Sequence, residues 1–405
     1  MSAFALFQIS ALASTGLAIL IALAHRLIVA FLGPLGKVPG PWYTKVSNLP
    51  LKYATVSAQR VYFVHAIHMK YGPVVRVSPD EIHIADISAV REIHKIGSGY
   101  VKSDWYQHFT DSFSNPSIFP MIDPKEHGER RRLYASTFST SFLKKVEPQI
   151  HTKVGLFLRG LKEEVERTGS TDILKWSVFM ANDMISELSF GSSLQMLERR
   201  EKNQYILDVQ RSAAYLGVMS ELRWLKPVMA RVPAGLMRDL TQRRARMDRY
   251  AADAVERYRT SLIEDPDRAL PTFFTKLLQS GELTDDTITH EAAGFIIAGS
   301  DTTANTFTYM VWAVLSNQNI RSRITAEIAT LPEVFEDKDL KELGYLDCVL
   351  NETLRLYGAA PGFLPRIVPT GGRELCGYFL PAGTRVSTQS WSTHRDTQVF
   401  PNPEV

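Results

Sequence analysis

Cysteine is almost absent from this sequence, which has only Cys348 and Cys376 among its 405 residues. Two thiols are too few for the disulfide framework of a secreted protein, and their spacing matches no zinc site. Their scarcity therefore favours a reducing, cytosol-facing compartment.

A strong excess of charge is also missing, because 46 basic residues nearly balance 43 acidic ones. No long run of either sign occurs, so the charge pattern indicates no nucleic-acid partner. Internal repeats and low-complexity tracts are absent as well. With 45% hydrophobic residues, the chain is still long and apolar enough to bury a large core in one or more domains.

Charged side chains are missing from the amino-terminal stretch between Ala3 and Ala24. About 20 apolar residues suffice to cross a bilayer core, so this stretch predicts one membrane-spanning helix. A cleaved signal peptide is the alternative, but signal peptides usually start with a basic residue and have a shorter apolar stretch. Arg26, Lys37 and Lys45 follow the stretch, and positive charge tends to stay on the cytosolic side. We therefore expect a single-pass anchor at 1–32 in the endoplasmic reticulum membrane, with the rest of the chain in the cytosol.

Prolines follow the predicted anchor. Pro39-Gly40-Pro41 cannot continue a helix, because proline fixes φ and lacks a backbone N–H. We expect residues 33–45 to form a stiff hinge, with an ordinary Pro-Gly loop as the alternative, and residues 46–405 to form the folded domain.

The pattern along the folded domain is mainly helical. A helix is expected around 58–70, and a β-hairpin is expected from Val74–Val77 and Glu81–Ala85 around Ser78-Pro79-Asp80. Residues 124–277 read as helices with short polar breaks, and short strands are expected near 377–379 and 385–389. The predicted class is mainly α with minor β.

One long helix contains an unusual centre. Thr284 is a capping residue for a proline-free stretch that runs to Ser316. Within it, Ala298-Gly299-Ser300-Asp301-Thr302-Thr303 combines glycine with β-branched residues, which lower helix propensity. Gly299 would let a flat ligand approach the backbone, and a threonine hydroxyl can bond back to a carbonyl and loosen the helix. A polar patch on an ordinary core helix is the alternative.

This hexapeptide resembles the oxygen-activation motif of the cytochromes P450, which are haem-thiolate monooxygenases. The resemblance implies that Asp301 and Thr302 are catalytic and relay protons to dioxygen on the haem iron. It also implies that Ala298 and Gly299 lie against the haem.

A second motif is Glu352-Thr353-Leu354-Arg355, whose charged ends share one helical face. Such a pair is common on protein surfaces, where it contributes little stability. Its position after the Asp-Thr-Thr helix resembles the Glu-x-x-Arg helix of the family, in which Glu352 and Arg355 would form a structural ion pair. Pro365-Arg366 then resembles the place where family members set an arginine against a haem propionate, a carboxylate that suits a guanidinium fork.

A third motif places His127 and Arg131 one helical turn apart. The alternative is a solvated basic patch, but by resemblance both side chains would reach the haem propionates. Lys125, Arg130, Lys144 and Lys145 lie nearby, and by resemblance they form a basic face for an acidic electron donor.

The resemblance, which is greatest to fungal microsomal members of secondary metabolism, implies a set of cofactors and partners. These are haem b, NADPH through a separate cytochrome P450 reductase, dioxygen and an apolar small-molecule substrate. Residues 105–119 and 215–237 are rich in aromatic and aliphatic side chains and would line the pocket or its entrance, although plain core packing would look the same.

One family feature is missing from the sequence. The haem-thiolate loop, Phe-x-x-Gly-x-Arg-x-Cys, does not occur, and neither Cys348 nor Cys376 has its surroundings. Residues 46–405 are therefore expected to be a partial catalytic domain that stops before the cysteine loop, and this chain is expected to be inactive as written. The alternatives are a membrane-bound pseudoenzyme or binding protein without oxidative activity, and a helical membrane protein unrelated to haem.

Overall fold

A computed structural model describes residues 3–110, 117–222 and 234–404 of the chain. The chain divides into two compact units. The first unit is Met1–Ser103 together with Gly362–Val405, and the second is Asp104–Pro361. The predicted boundaries at 32 and 45 belong to the first unit and stay predictions.

The first unit begins with helix α1, Ala3–Leu32. Its part from Ser14 to Leu32 has a mean hydropathy of 2.1 and is long and apolar enough to cross a membrane, by length and composition. The helix ends before Pro34, because the residue that precedes a proline is pushed out of the helical region. A 3₁₀ helix, Pro34–Lys37, and then helix α2, Trp42–Val46, follow. The predicted hinge is therefore partly helical.

The remaining helices of the first unit are short. They are α3 Leu49–Val56, α4 Arg60–Tyr71, α5 Ile87–His94 and, near the carboxyl end, α18 Ser390–Thr393. Helix α4 confirms the helix predicted around 58–70. Helix α5 begins at the N-cap Asp86, whose side chain accepts a hydrogen bond from the Ala89 amide.

Two small sheets complete the first unit. The strands are β1 Val74–Ser78, β2 Glu81–Ile84, β3 Val101–Lys102, β4 Arg366–Ile367, β5 Arg373–Leu375, β6 Tyr378–Leu380 and β7 Arg385–Ser387. Five of them form a sheet in the order β1-β2-β7-β4-β3, and β5 pairs with β6 alone. The predicted hairpin is present as β1 and β2. The two strands predicted near the end exist as β6 and β7, but β7 pairs with β2 and β4 rather than with β6.

All regular secondary structure in the described residues of the second unit is helical. Its helices are α6 Trp105–Thr110, α7 Pro124–Leu133, α8 Thr140–Thr168, α9 Ile173–Phe190, α10 Met196–Arg199, α11 Gln204–Glu221, α12 Ala234–Glu264, α13 Thr275–Ser280, α14 Asp285–Ser316, α15 Gln318–Ile328, α16 Asp337–Leu340 and α17 Gly344–Tyr357. Helix α14 confirms the long predicted helix, and the Thr284 side chain caps it by accepting from the Thr287 amide.

Helix α9 lies in the core of the second unit, where it packs against α8, α12 and α14. Its residues are mostly buried, and the Trp176 ring fills the space left by Gly160 of α8. A Cβ at Gly160 would lie 2.2 Å from that ring, so only glycine fits there. The fold as a whole is mainly helical with small sheets, as predicted.

Candidate functional site

Two hydroxyl side chains at the centre of helix α14 donate hydrogen bonds to carbonyls of the preceding turn. The Thr302 hydroxyl donates to the Ala298 carbonyl at 2.6 Å, and the Ser300 hydroxyl donates to the Ile296 carbonyl at the same distance. Such bonds to the preceding turn compete with the backbone ladder and bend helices slightly. The faces of the helix differ in exposure at this point: Ser300 is buried, while Asp301 and Thr302 are exposed. The motif therefore presents an acid and a hydroxyl side by side on one accessible face.

Gly299 has a packing role that the sequence did not indicate. A Cβ at this position would lie 2.8 Å from Cδ1 and Cγ1 of Ile185 on α9. The space left by the missing side chain is thus occupied by a neighbouring helix, whereas we had explained this glycine by the approach of a flat ligand. The predicted contact of Ala298 and Gly299 with a cofactor stays a prediction.

Asp301 has one neighbour that no sequence pattern suggested. The Gln210 side-chain amide of α11 donates to the Asp301 carboxylate at 3.4 Å, and Lys202 donates to the Gln210 amide oxygen at 3.0 Å. Both contacts are exposed, and the one to Asp301 is also long, so they contribute little stability. They place the acid beside helix α11.

Helix α7 carries the predicted histidine and arginine. The Asp123 side chain caps its start by accepting from the Lys125 and Glu126 amides, and Pro124 occupies the first helical position. His127 is half-buried and Arg131 is exposed. Among the described residues, the Arg131 side chain has no hydrogen-bonding or ion-pairing partner. Its guanidinium is therefore accessible to an acidic ligand.

Arg130 does not belong to the predicted basic face. Its guanidinium lies 2.8 Å from the Glu291 carboxylate of α14, and the Glu291 side chain has no exposed surface. Arg130 is therefore committed to a buried ion pair, and the basic face keeps only Lys125, Lys144 and Lys145, all of which are exposed. Sequence reasoning missed Glu291, although a charged residue in register with the buried Ile288 and Ala292 of α14 is a visible signal.

Glu352 and Arg355 form a bidentate ion pair on helix α17. The two nitrogen to oxygen distances are 2.7 and 2.6 Å. The Arg355 side chain is 7% exposed, but the Glu352 side chain is 48% exposed. This half-exposed carboxylate is accessible to a further partner.

Arg366 lies in the first unit, on strand β4, opposite Lys102 of β3. Burial, and then the Arg366 charge, lower the pKa of Lys102 to about 8. The same two causes lower the pKa of His94. Burial is the larger cause of both shifts, and the Arg366 charge adds to it because like charges disfavour a further proton.

Neither cysteine has the environment of a metal-binding thiolate. Cys348 is exposed on α17, and Cys376 occupies the turn between β5 and β6 with φ of 50°. Burial, and then the Asp86 charge, raise the pKa of Cys376, whereas a metal ligand needs a thiol that loses its proton readily. No group of three or more histidine, cysteine or carboxylate side chains suited to a metal occurs among the residues that the structure describes.

Only part of the predicted pocket lining can be located. Residues 105–110 and 117–119 are described, while 223–233 of the stretch 215–237 lie outside the described residues. Helix α6 packs against α11, and the Tyr106 ring contacts the Phe119 ring at a centroid distance of 5.3 Å. Helix α6 of the first stretch therefore lies beside α11, whose last residues belong to the second stretch.

Comparison with known proteins identifies the family. The sequence model of the family described as Cytochrome P450 matches residues 38–405. Over 375 residues the chain is 39% identical to cytochrome P450 monooxygenase orf2 of Aspergillus niger, covering 92% of this chain and 76% of the relative. It is 37% identical to cytochrome P450 monooxygenase tazI of Aspergillus terreus, covering 99% of this chain and 82% of the relative. It is 34% identical to cytochrome P450 monooxygenase stcB of Emericella nidulans, covering 93% and 73%.

A helical fold with small sheets, an acid and threonine at the centre of its longest helix, and these matches define one class. The chain belongs to the cytochrome P450 family. Family membership implies a haem cofactor, a redox partner and a small-molecule substrate. The roles assigned above to individual residues stay predictions.

Proposed function

We propose that this chain belongs to an enzyme that inserts oxygen from dioxygen into an apolar small molecule in fungal secondary metabolism. Support comes from the fungal relatives and, above all, from the exposed Asp301 and Thr302 at the centre of α14. The cofactor would be haem b, with electrons from NADPH through a separate reductase. The accessible basic face of Lys125, Lys144 and Lys145 suits an acidic electron donor.

The cations of the chain fit the acidic edge of haem. In the second unit, Arg131 and His127 would bind a haem carboxylate. In the first unit, the Arg366 guanidinium is by its chemistry also suited to a carboxylate. When bound, the haem would supply the activation of dioxygen.

Asp301 and Thr302 would handle protons on this chain. The Thr302 hydroxyl donates to the Ala298 carbonyl, so its oxygen can still accept a hydrogen bond from a water on the solvent side. Asp301 is exposed and would exchange protons with water before passing them on. Substitution of either residue would then impair proton delivery and leave substrate binding intact.

The cysteines of this chain do not fit the iron. The exposed Cys348 and the turn residue Cys376, with its raised pKa, both lack the environment of a thiolate ligand. We therefore propose that the 405-residue chain by itself forms no thiolate-ligated haem and performs no normal turnover.

A reduced carbon monoxide difference spectrum of the purified 405-residue chain, supplied with haem, tests the iron ligand. We expect no Soret band at the position typical of thiolate ligation. Such a band would refute the proposed lack of a ligand. If it disappeared in Cys348→Ser or Cys376→Ser, it would assign the ligand.

A haem titration followed by absorbance tests the carboxylate contacts. Arg131→Gln is expected to weaken haem binding about tenfold, because one charge-assisted hydrogen bond is lost, and Lys144→Gln serves as the exposed control. Equal affinities in both variants would contradict the role of Arg131. Failure of the unmodified chain to bind haem would contradict the cofactor assignment for this chain.

Location is the remaining part of the proposal. Helix α1 would anchor the protein in the endoplasmic reticulum membrane with the rest of the chain in the cytosol. The supporting observations are its length, its hydropathy and the basic residues that follow it.

A further inference from the structure

Glu291 has an arrangement that the family motifs do not require. Its carboxylate accepts hydrogen bonds from the Ile118 amide at 3.0 and 3.1 Å and pairs with the Arg130 guanidinium at 2.8 Å. All three residues belong to the second unit. The Glu291 side chain is completely buried, and Arg130 is 18% exposed.

A buried carboxylate is costly unless its oxygens are well paired. Burial raises the pKa of Glu291, while the Ile118 amide and Arg130 act in the opposite direction. The nearby Tyr134 ring is buried too, and burial and the Glu291 charge raise its pKa. An apolar side chain would fill this place at a lower desolvation cost. Packing alone therefore does not explain the presence of a carboxylate here.

The reason suggested by the geometry is that Glu291 connects three separate parts of the unit. Glu291 lies on α14, Arg130 on α7, and Ile118 on the stretch that follows α6. The next turn of α14 has Gly294, where a Cβ would be in ordinary contact with Ser117 at 3.7 Å. Residues 117–119 therefore run close along α14, and Phe119 contacts Tyr106 beyond them.

We infer that Glu291 is a positioning residue for substrate recognition: its carboxylate holds residues 117–119 and helix α7 in place along α14. This inference rests on the proposed function, whose apolar substrate would contact the described residues 105–110 and 117–119 of the predicted pocket lining. It assigns no chemical step to Glu291. Its effect is on which ligands fit and how tightly they bind.

Hydrogen exchange of the full chain tests the positioning directly and needs no haem. In Glu291→Gln the charge is lost and one oxygen must serve both partners, so exchange at the Ile118 amide is expected to accelerate about tenfold or more. Arg130→Lys keeps the positive charge and is expected to retain most of the protection. If Glu291→Gln does not fold, Arg130→Met compared with Arg130→Lys provides the same contrast.

A matched control is available elsewhere in the second unit. Asp208 is also a buried acid and forms a bidentate pair with Arg246 at 2.7 Å. Asp208→Asn should lower global stability similarly and leave exchange at Ile118 unchanged. Equal acceleration in both variants, or none in Glu291→Gln, would overturn the positioning role.

Binding of the apolar dye Nile red, followed by its fluorescence, tests the link to ligand recognition. We expect Glu291→Gln to bind the dye about threefold or more weakly than the unmodified chain, and Asp208→Asn to bind it equally well. If Glu291→Gln accelerates exchange but leaves dye binding unchanged, Glu291 positions residues 117–119 but does not affect ligand recognition. No dye binding by the unmodified chain would refute the apolar pocket of the proposed function, and exchange would still decide the role of Glu291.

Discussion

His68 and His83 form a buried hydrogen-bonded pair in the first unit. His68 Nδ1 lies 2.9 Å from the Gly72 carbonyl, and His68 Nε2 lies 2.8 Å from His83 Nδ1. Because a carbonyl only accepts, His68 carries its proton on Nδ1, and its Nε2 accepts from His83. A proton added to His68 would place two N–H groups against each other. Burial therefore favours the neutral form of both rings, and the hydrogen bond as placed needs a neutral His68.

This pair predicts a loss of stability in mild acid. Burial lowers the pKa of His68 to about 4, with the nearby His65 acting in the same direction, and burial followed by His68 lowers the pKa of His83 well below 6.5. Both pKa values are lower in the folded state than in the unfolded state. The neutral histidines therefore contribute fully to the free energy of unfolding above pH 6.5, and this contribution is lost as the pH falls toward 4. We expect His68 alone to reduce the free energy of unfolding by about 2 kcal/mol between pH 7 and pH 5. Urea unfolding at the two pH values measures this difference.

The control for the histidine pair is His68→Gln, whose amide can donate to Gly72 and accept from His83 but does not titrate. This variant should lose less stability than the unmodified chain over the same pH interval. Replacement of the exposed His151 should leave the pH dependence unchanged. An identical pH dependence in His68→Gln would disprove the assignment.

At the scale of the helices, the crossing of α9 and α14 depends on Gly299. In Gly299→Ala the new Cβ would lie 2.8 Å from Cδ1 and Cγ1 of Ile185, so the Ile185 side chain or one of the helices must move. We expect a loss of about 1–3 kcal/mol in the free energy of unfolding, measured with urea. Gly294→Ala on the same helix meets its nearest neighbour at 3.7 Å and should be neutral or stabilising by up to about 1 kcal/mol.

Relief of the contact would confirm its origin. Ile185→Ala removes both atoms that the new Cβ approaches, so the double variant with Gly299→Ala should be more stable than the sum of the single losses predicts. Strict additivity would mean that Gly299→Ala acts through something other than Ile185.

The joint between α1 and the sheet depends on a buried arginine. Arg76 of β1 is 2% exposed and donates to the carbonyls of Ala30 at 2.7 Å, Leu35 at 3.1 Å and Pro79 at 2.6 Å. Ala30 is in the last turn of α1, where carbonyls lack helical partners and favour a positive charge. The predicted hinge is therefore tied to the sheet as well as stiffened by proline.

Removal of this arginine should loosen the joint. In Arg76→Met the three carbonyls lose their shared donor, and we expect trypsin to cleave after Lys37 about fivefold faster or more. The rate of appearance of the fragment, followed by mass spectrometry, measures this. Arg91→Met, at an exposed position on α5, is the control and should leave the rate unchanged. An unchanged rate in Arg76→Met would show that the prolines alone set the stiffness.

At the scale of the whole molecule, helix α1 is the feature from which the membrane location is predicted. The full chain expressed in yeast is expected in the membrane fraction after carbonate washing, because its exposed apolar helix partitions into lipid. A chain that lacks residues 2–32 should move largely to the soluble fraction. Secretion of the full chain with its amino-terminal part removed would instead indicate a signal peptide.

Much of the fold was predictable because the signals are local. Capping by Thr284, the missing prolines between it and Ser316, and the Pro-Asp turn between β1 and β2 each act on their own neighbours in the chain. The partners of β7 were not predictable, because a short strand is recruited by whichever edge the remaining chain supplies. The candidate site divided in the same way: the Glu352 and Arg355 pair follows from helical spacing, whereas Gln210 beside Asp301 does not.

By itself, the sequence determined the class of the protein, the acid and threonine at the centre of its longest helix, and the apolar amino-terminal helix. All of these depend on residues adjacent along the chain or one helical turn apart. Only the tertiary structure decided that Arg130 belongs to Glu291 rather than to a docking face, that Ile185 is the neighbour of Gly299, and that Arg76 holds the end of α1. These depend on contacts between distant segments, which burial selects and local spacing does not encode.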